Sequence, residues 1–310
     1  MSPETRRATL KDVAAASGVS RATVSFVLND TPNQTISPAT RERVLRTARD
    51  LRYVPHGIAK ALREGASRIV VLHIESGLEG NYSRSYIRGL DEELAIHDHV
   101  LLVRHGPPTG SSAEQVLDAI RPRAVLTFGE SYRTGHEPDD VGGGRQDGLA
   151  AHATMQIAYL VSRGHSRIAL ATPVEPPLGG VRLRFADQAA AALGVPPLRT
   201  VVVPRLRAAG AAALGAFRAR HPEVTAIAGY DDDTALRALT ALRDLGVAVP
   251  RELAVMGFDD TEYGALTAPS LTTVHIDAEA HGRLAARQAL GLDLEGLTPA
   301  RGEIIARESA

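Results

Sequence analysis

The sequence predicts two architectures in series, an all-α helix-turn-helix head and a doubly wound α/β body, and three observations carry that reading. Helix start and stop signals crowd the first fifty residues. From Arg68 onward, short β-branched runs alternate with longer stretches of helical periodicity. Between these regions the charge changes sign: residues 1–68 hold 12 Lys/Arg against 6 Asp/Glu, and residues 69–310 hold 23 against 30. A basic head on an acidic body is the distribution expected where one end meets phosphates, although a solvated basic surface gives the same count. A chain of 310 residues has room for two or three domains.

The head is read element by element. Thr9 caps a first helix, with Asp12 in its first turn and Leu10, Val13 and Ala14 on one apolar stripe. Gly18 can take the left-handed conformation that ends a helix, and Val19 can plug the core behind it. Ser20 caps a second helix, Arg21 to Leu28, with Val24, Val27 and Leu28 facing inward. Ser37-Pro38 opens a third, since proline suits the first helical position; Val44, Leu45, Ala48 and Leu51 are expected on its inner face. Two short helices around a glycine turn, followed by a third, make a helix-turn-helix unit.

The outward face of the second helix is the candidate reader. Arg21 can bond guanine O6 and N7 bidentately, and Ala22 can touch a thymine methyl. Phe26 lies on the same face and offers only apolar contact; the alternative is that Phe26 belongs to the core and Arg21 is merely solvated. Thr9, Lys11, Ser20, Thr23, Ser25 and Asn29 supply donors for phosphates, which position a protein without specifying sequence.

The body reads as buried parallel strands at Ile69–Ile74, Val100–Val103, Ala124–Phe128, Ile168–Ala171, Val201–Val203, Ala226–Ala228 and Leu253–Gly257. Covering helices are expected at Tyr82–Ile96, Ala153–Arg163, Arg182–Leu193 and Thr234–Leu245. The absence of cysteine excludes disulfides and thiolate metal sites and suits a reducing cytosol. Met1–Arg7 is polar with no apolar stretch behind it, so no export signal is expected, and the longest apolar runs are too short to span a membrane. The phosphate loop, the dinucleotide fingerprint and the G-x-S-x-G elbow are all missing, which argues against an enzyme.

Residues 9–30 (TLKDVAAASGVSRATVSFVLND) and 37–63 (SPATRERVLRTARDLRYVPHGIAKALR) resemble the DNA-binding head of the LacI/GalR family of bacterial transcription regulators. The resemblance puts Arg21, Ala22 and Phe26 at the base-reading positions. Phe26 departs from the basic residue of the family's lactose repressor, so the operator sequence does not transfer. The resemblance also makes residues 56–63 a hinge helix. That segment is too short to be stable alone and is weakened by Gly57, so it is expected to form on DNA, paired with a second copy. Leu62 falls at the minor-groove wedge and Ala59 at the close approach beside it.

In the body, the segments GHSRIA (164–169), RLR (182–184), AIAGYDDD (226–233), VPRELAVMGFDD (249–260), PSLTTV (269–274) and EIIARES (303–309) resemble the family's effector domain. That domain is a two-lobed, periplasmic-binding-protein-like α/β fold with a ligand cleft. The implied organisation is 1–54 for the head, 55–66 for the hinge and linker, and 67–310 for the effector and dimerisation domain. Its lobes are 67–150 plus 275–292, and 151–274 plus 293–310. Arg184, Asp231, Asp259 and Tyr82 fall at effector-contact positions, suited to a polar, carbohydrate-like ligand, with no cofactor and no metal. Each has a plainer reading: one of Asp231–Asp233 can cap the helix that follows, Asp260 can be a structural cap, and His165 can close a turn. The first lobe departs from the pattern, because Glu130–Gly148 is polar and glycine-rich and Ala151 stands where relatives carry an aspartate. A ligand other than a simple sugar, or weakened ligand control, is therefore expected. The resemblance implies a cytoplasmic repressor that binds a palindromic operator as a homodimer, with a higher oligomer open. The other reading of the body, a solute-binding protein, would carry an export signal and no basic head.

Overall fold

The computed structural model describes residues 8–28, 34–51, 53, 67–74, 80–106, 111–128, 148–176 and 178–310. The chain divides into two compact units, Met1–Ser67 and Arg68–Ala310.

The first unit is the three-helix head. Helix α1 (Leu10–Ser17) starts in a capping box: the Asp12 N–H donates to Thr9 Oγ1 at 3.3 Å, and the Thr9 N–H donates to Asp12 Oδ2 at 2.8 Å. It ends at Gly18, whose φ of 67° is the left-handed cap. Ser20 Oγ accepts from the Thr23 N–H at 3.0 Å to start α2 (Arg21–Leu28), and Ser37 Oγ accepts from the Thr40 N–H at 3.2 Å to start α3 (Pro38–Asp50). Val13, Ala14, Val24, Val27, Val44 and Ala48 form the core, with Val19 packed against it. Leu45 and Leu51 do not join it; both are exposed. Val44 and Ala48 stand one above the other on α3, whereas Leu45 is turned about 100° from Val44.

The second unit is an α/β fold of two lobes. The first is a parallel sheet of order β2-β1-β3, from β1 (Ile69–Ile74), β2 (Val100–His105) and β3 (Ala124–Thr127). Helix α4 (Asn81–Ile96) covers it, α5 (Ser111–Ile120) lies between β2 and β3 in sequence, and α10 (Ala278–Leu290) returns late in the chain to pack along α4. That crossing needs glycine: a Cβ on Gly282 would lie 2.1 Å from the Tyr86 carbonyl, and one on Gly89 would lie 2.0 Å from that of Glu279.

The second lobe is a parallel sheet of order β5-β4-β6-β7, from β4 (Ile168–Thr172), β5 (Arg199–Val202), β6 (Ala226–Gly229) and β7 (Ala254–Met256). Alternate residues face opposite cores, as buried parallel strands require. Ile168, Leu170, Ala226 and Ala228 meet α6 (Leu149–Ser162) and α7 (Gly179–Ala192). Ala169, Ala171 and Ile227 meet α8 (Arg207–Arg220) and α9 (Asp232–Asp244). An antiparallel pair, β8 (Thr273–His275) with β9 (Glu303–Ile305), brackets α10. Strands and helices fall where the sequence places them, within a few residues at each end. Helices α5, α8 and α10 and the β8–β9 pair were not among the elements read from the sequence.

Candidate functional site

On the head, the candidate reading face is open. Arg21 and Ala22 are exposed at the first turn of α2. Phe26 is half-buried and stands outside the residues that form or pack against the head's core. Thr9, Lys11 and Ser20 are exposed, and Ser20 Oγ lies 2.9 Å from Thr23 Oγ1. Thr23 and Ser25 are half-buried. The helix starts engage two of these side chains: the Thr9 hydroxyl accepts from the Asp12 N–H and donates to Asp12 Oδ2 at 2.7 Å, and Ser20 Oγ accepts from the Thr23 N–H. Asn29, Ala59 and Leu62, and with them the hinge helix, lie outside the described residues.

In the body, the carboxyl ends of the second-lobe strands gather a polar cluster, the place where open α/β sheets bind ligands. At its centre is Arg182, on the first turn of α7 and 2% exposed. Its guanidinium carbon sits 3.7 Å above the centroid of the Phe258 ring. Nη2 donates to Gln156 Oε1 at 3.0 Å and to the Gly229 carbonyl at 3.4 Å. Nε and Nη1 are buried with no hydrogen-bond partner among the described residues. Burial pulls the Arg182 pKa down to about 10, against the opposing pull of Tyr230, Asp231 and Asp259.

Gln156 fixes that arginine. It is fully buried on α6, and its amide donates to the carbonyls of Gly229 at 3.0 Å and Gly257 at 2.8 Å, at the ends of β6 and β7. One helical turn earlier, His152 is buried with Nε2 unpaired, and its ring meets Phe258 edge-on at 6.4 Å. Gly302 leaves it room: a Cβ there would lie 2.5 Å from His152 Nε2. Burial, and then the charges of His281, Arg182 and His275, push the His152 pKa down to about 4, so its ring is neutral near pH 7.

The three adjacent aspartates have separate tasks. Asp231 caps α9, its Oδ1 accepting from the Thr234 N–H at 2.7 Å. Asp232 is fully buried and accepts from the Phe258 N–H (2.7 Å), the Thr273 hydroxyl (2.6 Å) and the Thr261 N–H (2.6 Å), tying β6, β7 and β8 together. Burial raises its pKa to about 6 against those bonds. Asp233 is half-buried. Asp259 is buried with a φ of 102°, a strained value for a residue with a side chain. Burial, and then the charges of Asp232 and Asp231, raise its pKa well above the usual carboxylate range. Asp260 accepts from Arg307 Nη2 at 2.9 Å and sits 3.1 Å from His275 Nδ1. His165 Nδ1 lies 3.0 Å from Thr225 Oγ1. Among the described residues no group of three His, Asp or Glu is arranged to hold a metal.

Arg184, expected at an effector-contact position, is exposed, with its guanidinium carbon 5.2 Å from the centroid of the adjacent Phe185 ring. Residues two apart on a helix point about 200° apart, and Arg182 of the same RLR segment is the buried arginine of the cluster. Asp231 and Asp259 do stand beside it. Tyr82 is half-buried, its hydroxyl 3.0 Å from His281 Nδ1 and its ring against Tyr86 and Phe128. Gln156, His152, Tyr230 and Phe258 were not read from the sequence. The available signal was the buried stripe of α6, on which His152 and Gln156 stand one turn apart.

Comparison with known proteins decides the family. Residues 9–56 match the family described as bacterial regulatory proteins, lacI family, and residues 157–308 match the periplasmic binding protein-like domain. The HTH-type transcriptional regulator CelR of Thermobifida fusca is 31% identical, over 91% of this chain and 91% of its own length. The chain belongs to the lacI family of bacterial regulatory proteins. As a member of the lacI family it is a DNA-binding transcriptional regulator. Among solved structures, the lac repressor dimer bound to operator and the anti-inducer ONPF shares the fold, with a TM-score of 0.77, 21% identity and coverage of 98% of this chain and 99% of that one. A complex of transcriptional regulator CelR with cellobiose aligns with a TM-score of 0.60 and 25% identity, covering 98% of this chain and all of the other. Among the described residues of this lacI-family chain, no helix is long and apolar enough to cross a membrane.

Proposed function

We propose that this regulator represses transcription by binding a palindromic operator as a homodimer, under the control of a small polar ligand held at the Arg182–Asp259 cluster. Each head places Arg21, Ala22 and Phe26 in a major groove, with Thr9, Lys11, Ser20, Thr23, Ser25 and Asn29 on the phosphates. The paired hinges insert Leu62 into the minor groove, where Ala59 permits close approach. A DNA-binding role locates the protein in the cytoplasm. The lac repressor dimer on its operator and CelR with cellobiose give this reading its precedent.

The observation that carries ligand control is the state of Arg182. A buried guanidinium with Nε and Nη1 unpaired costs free energy unless acceptors reach it. With Asp231 and Asp259 as acceptors nearby, the cluster suits a ligand that both accepts and donates hydrogen bonds. Tyr82 contributes from the first lobe. Ala151 removes a carboxylate that relatives carry, so the ligand differs from a common mono- or disaccharide. Ligand that prefers one arrangement of the lobes changes operator affinity by that preference.

A thermal-shift panel on the purified protein tests ligand control, with cellobiose and common sugars in one arm and polar non-sugar metabolites in the other. The reading expects a shift in the second arm that Arg182→Ala abolishes. A strong shift with a simple sugar overturns the ligand class, and no shift in either arm leaves a regulator without ligand control.

A further inference from the structure

The second-lobe sheet has another open end. At the amino-terminal ends of its strands, opposite the Arg182 cluster, the turns before β4, β5 and β6 border a cavity of about 430 Å³. Small-molecule sites occupy roughly 300–1,000 Å³. Arg167, Arg199 and Glu223 line this cavity with Pro196, Pro197 and Leu198. Strand register explains why the two arginines share it. Arg199 pairs with Ala169, and side chains two apart on a strand share a face, so Arg167, Ala169 and Ala171 form one row and Arg199 and Val201 the next. Ala169, Ala171 and Val201 are buried against α8 and α9, and one step outside that core both rows turn cationic. The walls are fixed. His165 Nδ1 lies 3.0 Å from Thr225 Oγ1, the Thr225 N–H donates to the Arg167 carbonyl at 2.9 Å, and the Leu198 N–H donates to Asp187 Oδ1 at 2.8 Å. Pro196 and Pro197 stiffen the turn between α7 and β5. Among the described residues, neither guanidinium makes a hydrogen bond or a close ion pair. Glu223 feels the charge of Arg199, but its carboxyl is held below the usual range first by its own N–H and then by His221, 3.4 Å away.

Ordinary tasks for a surface arginine do not account for both residues. Arg163 and Arg220 stand at the ends of α6 and α8, where a cation answers the partial negative charge of a helix C-terminus. A charge on an edge strand such as β5 discourages edge pairing, which covers Arg199. Arg167 opens the inner strand β4 and has neither task. We infer that this cavity is a second ligand site that takes a small phosphate monoester, with the phosphate oxygens between Arg167 and Arg199 and the organic group against Pro196, Pro197 and Leu198. Guanidinium forks match phosphate oxygens and form charge-assisted bonds to them. Helices α6, α7 and α8 end at this rim, so it offers helix carbonyls and not the N–H groups that bind anions at helix starts. Side chains therefore have to meet the anion. Two guanidinium groups against one carboxylate make the cavity cationic, whereas the Arg182 cluster sets one buried cation among carboxylates. The two sites stand at opposite ends of the same strands and select different ligands.

Titration calorimetry on the full-length protein at low ionic strength tests this, with inorganic phosphate, glycerol 3-phosphate and uncharged glycerol as probes. Both phosphates are expected to bind, glycerol 3-phosphate the more tightly, and glycerol not at all. Arg167→Ala and Arg199→Ala should each weaken binding roughly tenfold, and Glu223→Gln should tighten it roughly threefold. Arg163→Ala, outside the cavity, should leave it unchanged, and circular dichroism melts establish that every variant is folded. No heat from either phosphate overturns the inference, as does binding that Arg167→Ala and Arg199→Ala leave intact. Binding that is lost in Arg182→Ala and kept in those two variants puts the anion at the cluster and overturns it as well. A metabolite panel with no hit at the Arg182 cluster would defeat that ligand reading and leave the phosphate titration standing, so the two failures are distinguishable.

Discussion

At the scale of single residues, the cluster is a balance between one buried cation and carboxylates held partly by the fold. Arg182→Ala leaves Gln156 Oε1 without its donor and is expected to cost about 1–3 kcal/mol in urea unfolding while removing any ligand-induced thermal shift. Arg184→Ala, on the exposed side of α7, is expected to leave urea unfolding unchanged. His152 gives a pH prediction. Its folded pKa is about 4 against an ordinary 6.5, so the unfolded chain takes up a proton first as the pH falls. Stability is then lost between pH 6.5 and 4 and the loss saturates below, at about 3 kcal/mol from the size of the shift. Asp232, with its raised pKa of about 6, has the opposite slope, losing stability as the pH rises from about 4 to 6. The difference in melting temperature between wild type and His152→Leu, followed from pH 7 to 4, isolates the histidine: the variant's acid limb should be shallower. Residue identities here were only partly legible. Asp231 and Asp259 stood in recognisable segments, but RLR holds two arginines, and only the helix phase of α7 selects the buried one. Gln156 and His152 were hidden because their partners are main-chain carbonyls and a ring from distant strands.

At the scale of elements, local signals and long-range crossings behave differently. The caps at Thr9, Ser20 and Ser37 were readable because each bonds within three residues. Thr9→Ala should lower the stability of the head by about 1 kcal/mol, seen in its thermal melt. The inner face of α3 was read too widely: Val44 and Ala48 reach the core, whereas Leu45 and Leu51 remain exposed. The α4–α10 crossing could not be read, since it joins residues nearly two hundred positions apart through Gly89 and Gly282. Gly282→Ala forces a methyl group against the Tyr86 carbonyl and should destabilise the body by about 1–3 kcal/mol in urea, more than an ordinary exposed helix substitution, where alanine would help. An unchanged midpoint would mean that the two helices separate at little cost.

At the scale of the whole molecule, two architectures in one chain were legible because each leaves a periodic signature, and the change of charge between them marks which one meets DNA. The family relationship to regulators such as CelR gives the DNA-binding role, while the operator and ligand stay specific to this chain. Phe26, in place of a basic reader, and Ala151, in place of an acidic contact, are the two departures that keep both from being copied. The central claim is that the head reads a defined sequence as half of a two-fold pair. Selection of bound sites from a random duplex pool by the full-length protein, repeated with Arg21→Ala, tests it most directly. The account predicts enrichment of a palindrome in wild type and, in the variant, relaxed discrimination at one base pair per half-site, worth about 1–3 kcal/mol. A pool that shows no enriched motif, or a variant that weakens binding equally across all sequences, would contradict it.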